Sequence, residues 1–178
     1  MRIAIIGYSG AGKSTLAQRL GEALELPVLH LDTVHWLPGW QVRDKEGRDM
    51  MVLDFLSQNE NGWIIDGNYS GMLHEERMAA AHLIIFLDFP RRVCLARAWT
   101  RYRQNKGKTR SSMTDGCDER FDFEFVKWIL VDGRNKKRKA AFENVAKNHP
   151  EKFIRCKNNS QVEAAFRNII QNFSSQTG

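Results

Sequence analysis

The chain has 178 residues, 42% of them hydrophobic and 27% charged, enough for one domain with a full core and too few for two ordinary ones. Its longest uninterrupted apolar run is Leu83 to Leu87, far short of the ~20 residues that cross a bilayer, and the apolar stretch before Gly7 is too short for a secretory leader, so a cytoplasmic protein without a membrane span is expected. Cys94, Cys117 and Cys156 are odd in number and form no C-x-x-C pair, which argues against a disulfide framework or a zinc ribbon. The net charge of +6 conceals −5 over residues 1–90 and +11 over residues 91–178, a surplus that suits either nucleic acid or the phosphates of a small ligand.

Ile3 to Ile6 is a β-branched run ending in glycine, as a buried parallel strand does. From Lys13 the period changes: Leu16, Leu20 and Leu24 recur every four residues, predicting a helix that stops before Pro27. Val28 to Leu31 predicts a second strand closed by Asp32, completing a βαβ unit with a right-handed crossover. Residues 33–61 form an excursion in which "WLPGW" reads as a turn between two tryptophans, and Met51, Val52, Phe55 and Leu56 as the apolar side of a helix. Trp63 to Ile65 predicts a third strand running into "DGNY", Met72 to Ala80 a helix, and Leu83 to Leu87 a fourth strand ended by "DFP". A helix from Arg91 to about Arg103 follows. The polar, glycine-containing stretch over residues 103–121 suits a mobile, lid-like loop. "FEFVKWIL" and "RKAAFENVAK" read as helices, Lys152 to Cys156 as a fifth strand, and Val162 to Phe173 as a closing helix. Alternating strands and helices predict one α/β domain over residues 1–178, a three-layer fold around a five-stranded, mostly parallel sheet. Ligands of such sheets bind beyond the carboxyl ends of the strands, where Gly7, Asp32, Asp66 and Asp88 fall.

The stretch "GYSGAGKST" matches the P-loop pattern G-x-x-x-x-G-K-[ST] from Gly7 to Ser14. Glycines let successive N–H groups converge on phosphate oxygens, and the following helix adds its positive end. Gly7, Ser9, Gly10, Ala11, Gly12, Lys13, Ser14 and Thr15 are therefore the expected ATP-binding residues. Lys13 would hold the β- and γ-phosphates, and Ser14 would ligate Mg²⁺. Asp66 is a candidate for binding the metal or orienting its water, and Asp32 a candidate for binding a substrate hydroxyl and taking its proton. Either aspartate could instead cap a neighbouring helix. Arg97 and Arg101 share one helix face by their i, i+4 spacing, the pattern also of a solvated charged face. Trp36, Pro38 and Trp40 would either line an acceptor pocket or pin the excursion to the core. His35 sits beside Asp32 and is open to an acceptor role, His30 is expected to pack within its strand, and Tyr69 either closes the pocket behind Asp66 or packs.

At these residues the chain resembles the P-loop nucleoside and nucleotide kinases, adenylate-kinase-like in layout. "FPRRVCLARAWTR" resembles the segment of those kinases in which a strand-ending proline precedes two arginines four apart, which implies that Arg97 stacks on the adenine and Arg101 touches the transferred phosphate. "WIIDGNY" resembles their "DG" strand end and carries Mg²⁺ and water organisation onto Asp66. "KNNS", after the fifth strand, implies that the backbone at Asn158 borders the adenine. "GYSGAGKSTLA", "LHLDTVHWLPGW", "DGNY" and "GCDERFD" are similar to the bacterial DNA topology modulation proteins, a FlaR-related family, over nearly the whole chain. Where the monophosphate kinases carry "DGFPR", Asn68, Tyr69 and Ser70 stand instead, and Cys117 has no partner for a zinc-bearing lid. A lid arginine, Arg103, Arg110 or Arg120, is expected to reach the phosphate, with Arg120 in the family-like motif. The expectation is an ATP- and Mg²⁺-dependent kinase with a nucleotide-like or other small acceptor. The alternative is a nucleotide-binding regulator that binds DNA through "RNKKRK", although no nucleic-acid-binding signature accompanies that tract.

Overall fold

The computed structural model describes residues 1–177. Strand β1 (Arg2–Gly7) buries every residue after Arg2 and leads through the glycine-rich turn into α1 (Lys13–Leu24). Leu16, Leu20 and Leu24 form the buried stripe of α1, as their spacing predicts. Glu25 turns left-handed at its end and Leu26 N–H bonds to Gly21 O at 3.0 Å, which returns the chain to β2 (Val28–His30). The second strand stops one residue earlier than expected. Leu31 and Asp32 open a short helix instead, α2 (Leu31–His35).

The excursion then makes β3 (Trp36–Leu37), a 3₁₀ turn over Pro38–Trp40, and β4 (Gln41–Val42), an antiparallel hairpin in which Trp36 pairs with Val42. Helix α3 (Lys45–Gln58) is capped by Asp44, whose carboxylate accepts from Gly47 N–H at 2.7 Å. Its buried anchor is Val52, while Met51 is exposed. Next come β5 (Trp63–Asp66), α4 (His74–Ala80), β6 (Leu83–Leu87) and α5 (Arg91–Gln104). Met72 and Leu73 lie outside α4 because Leu73 takes a left-handed φ of 47°. Helices α6 (Phe123–Leu130) and α7 (Lys136–Asn148) are capped by Asp122 and Asn135. Strand β7 (Phe153–Cys156) and α8 (Asn159–Thr177) close the order.

The sheet runs β2-β5-β1-β6-β7 with every pairing parallel, and helices flank it. Strand β1 is central, so its carboxyl end opens where the chain has passed to both sides, the crevice such sheets use for ligands. The register also pairs Asp66 with Ile5 on one side and His30 on the other. Among the described residues no helix is long and apolar enough to cross a membrane.

Of residues 103–121, the stretch expected as a mobile, lid-like loop, the first two end α5 and the rest is hydrogen-bonded both across its limbs and to the excursion. Lys108 O accepts from Glu119 N–H at 3.5 Å and Thr109 Oγ1 donates to Asp118 at 3.1 Å, joining the two limbs of the segment. Its tip rests on the excursion: Gly39 N–H donates to Gly116 O at 3.1 Å, Thr114 Oγ1 to Trp36 O at 2.6 Å, and Cys117 Sγ to Leu37 O at 3.2 Å.

Candidate functional site

Gly10 takes a φ of 77° against the Cys94 carbonyl, where a Cβ would overlap the oxygen, and Gly12, at the start of α1, takes 97°. The Asn68 side chain brackets Gly7 from the loop after β5: its Oδ1 accepts from Gly7 N–H at 2.8 Å and its Nδ2 donates to Gly7 O. Lys13 Nζ donates to Tyr8 O at 3.3 Å. Burial pushes its ammonium pKa down, while the charges of Asp32 and Asp66 oppose that shift.

Ser14 Oγ donates to Asp66 Oδ2 at 2.9 Å, and His30 Nδ1 pairs with the other carboxylate oxygen. Asp66 is only 4% exposed, so both of its oxygens are engaged inside the fold. His30 thus does more than pack in its strand. One hydroxyl and one carboxylate beside a glycine cradle fit Mg²⁺, a hard ion that keeps several waters and takes further oxygens from phosphate. Among the described residues no cluster of three His, Cys, Asp or Glu side chains could hold a metal unaided.

A cavity of about 900 Å³ opens from this cradle toward the excursion. Its walls include Ser9, Gly10, Gly12, Lys13, Ser14 and Thr15 from the cradle, and Asp32, His35, Trp36, Trp40 and Tyr69 from α2, the excursion and the loop after β5. Tyr69 O–H donates to Asp32 Oδ1 at 2.7 Å, and burial together with the Asp32 charge drives the phenol pKa up. The ring of His35 lies 4.5 Å from that of Tyr69 and 4.6 Å from Trp36, and Trp36 meets Trp40 edge-on at 5.3 Å. Arg48 NH1 contacts His35 Nδ1 at 3.2 Å, and burial and that guanidinium lower the His35 pKa. Behind Tyr69, the fully buried Arg77 donates to Tyr69 O at 2.8 Å and to Met72 O at 2.7 Å.

Arg101 and Arg120 also line the cavity, joined by Arg110. Arg101 and Arg110 share Glu119, which is 9% exposed, and Arg120 lies over the Trp40 ring at 4.7 Å. Arg103 is exposed and does not line the cavity. Five expected site residues stand outside the walls: Asp66, which accepts from the Ser14 hydroxyl that does line the cavity, and Gly7, Ala11, Arg97 and Asn158. Gly7 is occupied by Asn68, and Ala11 is buried, its carbonyl taken by Arg97 at 2.6 Å. Arg97 stacks on Phe89 at 4.2 Å and donates to Asn159. Asn158 caps α8 by accepting from Gln161 N–H at 2.9 Å. In the basic tract, Arg134 is buried, donating to Phe89 O at 2.7 Å beneath Tyr8, and Arg138 lies over Trp128 at 4.3 Å.

His30, Asn68, Arg77 and Glu119 are the interacting residues to which sequence reasoning assigns no role. Three of them left a trace, His30 in "LHLDTVHWLPGW", Asn68 in "DGNY" and Glu119 in "GCDERFD", whereas nothing in the sequence marks Arg77.

A family model described as AAA domain matches residues 3–121. No curated protein matches the chain. Among solved structures, shikimate kinase from Acinetobacter baumannii, in complex with shikimate, is similar at 18% identity over 98% of this chain and 93% of its own, with a TM-score of 0.54. A candidate kinase from Chloroflexus aurantiacus is similar at 21% identity over 74% of this chain and 78% of its own, with a TM-score of 0.47. The five-stranded sheet and its helices match the P-loop kinase fold seen in the shikimate kinase.

Proposed function

This chain belongs to the AAA domain family, and on that premise we propose that it is an ATP- and Mg²⁺-dependent kinase that transfers the γ-phosphoryl group to a hydroxyl or phosphate of a nucleotide-like or other small acceptor. The observation that carries the reading is one cavity lined both by the Lys13 and Ser14 cradle and by the Asp32 carboxylate. A nucleotide hydrolase needs only the cradle. The same cavity is also walled by Trp36 and Trp40 rings suited to a flat or cyclic acceptor.

Lys13 and the backbone of Gly10 and Gly12 bind the β- and γ-phosphates, and Ser14 with Asp66 holds the metal, directly or through water. Bound Mg²⁺ supplies neutralisation of the charge that develops on the phosphate oxygens. Asp32, oriented by Tyr69, accepts the hydrogen bond of the acceptor hydroxyl. As the acceptor oxygen bonds to the γ-phosphorus and the bond to the bridging oxygen of ADP breaks, the hydroxyl proton passes to Asp32. Arg101 and Arg110 stabilise the transferred group, and the segment docked over the excursion excludes water that would otherwise take the phosphoryl group. Free, buried Cys94, Cys117 and Cys156 support a reducing, cytoplasmic setting.

A screen of nucleosides, nucleotides, polyols and hydroxylated ring acids tests the reading. ADP release should rise with one acceptor and stay low without it. Turnover that no acceptor raises above ATP hydrolysis would sink the kinase assignment.

The resemblance to topology modulation proteins carries a second reading, DNA binding, supported by the exposed run Lys136, Lys137, Arg138 and Lys139. Salt-dependent DNA binding that survives neutralising these four residues would remove its basis.

A further inference from the structure

Glu119 lies at the base of the docked segment and faces two arginines from different parts of the chain. Its Oε2 accepts from Nε of Arg101, on α5, at 2.9 Å. Its Oε1 pairs with Nε of Arg110, in the docked segment itself. The carboxylate is 5% exposed, and the side chains of Arg101 and Arg110 are 27% and 17% exposed. All three groups border the cavity that contains Lys13. Burial and the neighbouring Arg110 both lower the Arg101 pKa, and Arg101 in turn depresses that of Lys13, so these cations act on one another across the cleft.

Two guanidiniums and one lysine converging on one space repel one another, and one buried carboxylate offsets part of that repulsion. The way Glu119 offsets it is specific. Its oxygens face the Nε of each arginine, as a hydrogen bond to Arg101 and as an ion pair without hydrogen-bond geometry to Arg110. The terminal nitrogens of Arg101 have no protein hydrogen-bond partner among the described residues, and of those of Arg110 only NH1 is engaged, with Ser112 Oγ at 3.2 Å. A guanidinium held by Nε still presents its outer N–H groups, the geometry that receives phosphate oxygens. A carboxylate competing with phosphate would occupy those outer groups instead.

We propose that Glu119 is a positioning residue: it clamps Arg101 and Arg110 by their Nε atoms so that both present their terminal N–H groups to the γ-phosphate of the nucleotide held by Lys13. The inference rests on the kinase reading and adds to it the group that preassembles the arginine pair. Without the clamp the two arginines spread, and the γ-phosphate must reassemble them at its own cost.

The test needs no acceptor. Affinities for ADP·Mg²⁺ and for the non-hydrolysable β,γ-imido analogue of ATP with Mg²⁺ are measured by titration calorimetry on the full chain. The wild type should bind the analogue more tightly than ADP. Glu119→Gln should cut that preference about tenfold while ADP affinity changes less than twofold, because ADP lacks the phosphate that the pair receives. Glu119→Asp keeps the charge but spans the two Nε atoms poorly, and should retain an intermediate preference; it also carries the test if the glutamine variant does not fold. A preference unchanged in both variants overturns the inference. So does a loss of affinity shared equally by ADP and analogue, which would mark a purely structural role. A wild type that binds the analogue no better than ADP overturns it as well, while leaving the kinase reading to the acceptor screen. A wild type that binds neither nucleotide overturns both.

Discussion

The Tyr69 phenol donates a 2.7 Å hydrogen bond to Oδ1 of Asp32 from a loop anchored in a different strand. Its own backbone is held by the buried Arg77, and the preceding Asn68 brackets Gly7. The four residues "DGNY" therefore connect the first P-loop glycine, the Ser14 hydroxyl and the Asp32 carboxylate through one short piece of chain. That one short piece of chain ties the glycine cradle to the Asp32 carboxylate.

Tyr69→Phe removes one hydrogen bond to the carboxylate and almost no volume. Acceptor-stimulated kcat/KM should fall about tenfold, the worth of a hydrogen bond to a charged group, with ATP affinity unchanged within twofold. Steady-state ADP release with the acceptor varied at saturating ATP checks it.

Ser14→Ala leaves Asp66 without its hydroxyl partner and takes an oxygen from the metal site. The Mg²⁺ concentration giving half-maximal ADP production should rise about tenfold, and chelation of the metal should abolish turnover in wild type and variant alike. A magnesium titration of initial rates distinguishes this from a loss of nucleotide affinity alone.

Arg77→Met should destabilise the fold by about 2–4 kcal/mol, because the buried Met72 carbonyl and the half-buried Tyr69 carbonyl lose their donors. Burial pushes the Arg77 pKa down to about 10, so the side chain stays charged at neutral pH and the carbonyl dipoles bear that charge. Urea unfolding measures the stability. Asp32-dependent turnover should also drop under conditions where the variant is fully folded, because Tyr69 has lost its backbone anchor.

His35 titrates below an ordinary histidine because it is buried beside Arg48. The unfolded chain therefore binds its proton first as pH falls, so the contribution of His35 is whole above pH ~6.5 and is lost as pH falls through the lowered native value. The urea midpoint of the wild type should drop between neutral and mildly acidic pH. His35→Asn should flatten that drop, and an equally steep profile in the variant would contradict the assignment.

Much of the fold is legible in the sequence where period and length are strong. The Leu16, Leu20, Leu24 stripe and the apolar runs at Ile3 and Leu83 stand where spacing puts them, because each is long enough to bury a face by itself. The Trp36–Val42 hairpin has only two residues in each strand, too few to show alternation, and α2 follows β2 without a break at Leu31. The cradle is legible because a P-loop is local. The His30–Asp66 pair is not, since the parallel register of β2 on β5 creates it. Glu119 is equally hidden: its arginine partners lie across a segment with no periodicity, and only the folded chain brings the three together.

The hydrogen bonds from Gly39 to Gly116 and from Thr114 to Trp36 join the tryptophan wall of the cavity to the segment that bears Arg110. Any opening wide enough to expose Trp36 across that seam breaks those bonds, and the Lys108–Glu119 and Thr109–Asp118 pairings make the two limbs of the segment leave together. On the kinase reading proposed above, loading and phosphoryl transfer then exclude each other in time: while the doorway stands open for a new acceptor, Arg110 and Glu119 are drawn away from Arg101 on α5, and transfer waits for the segment to return.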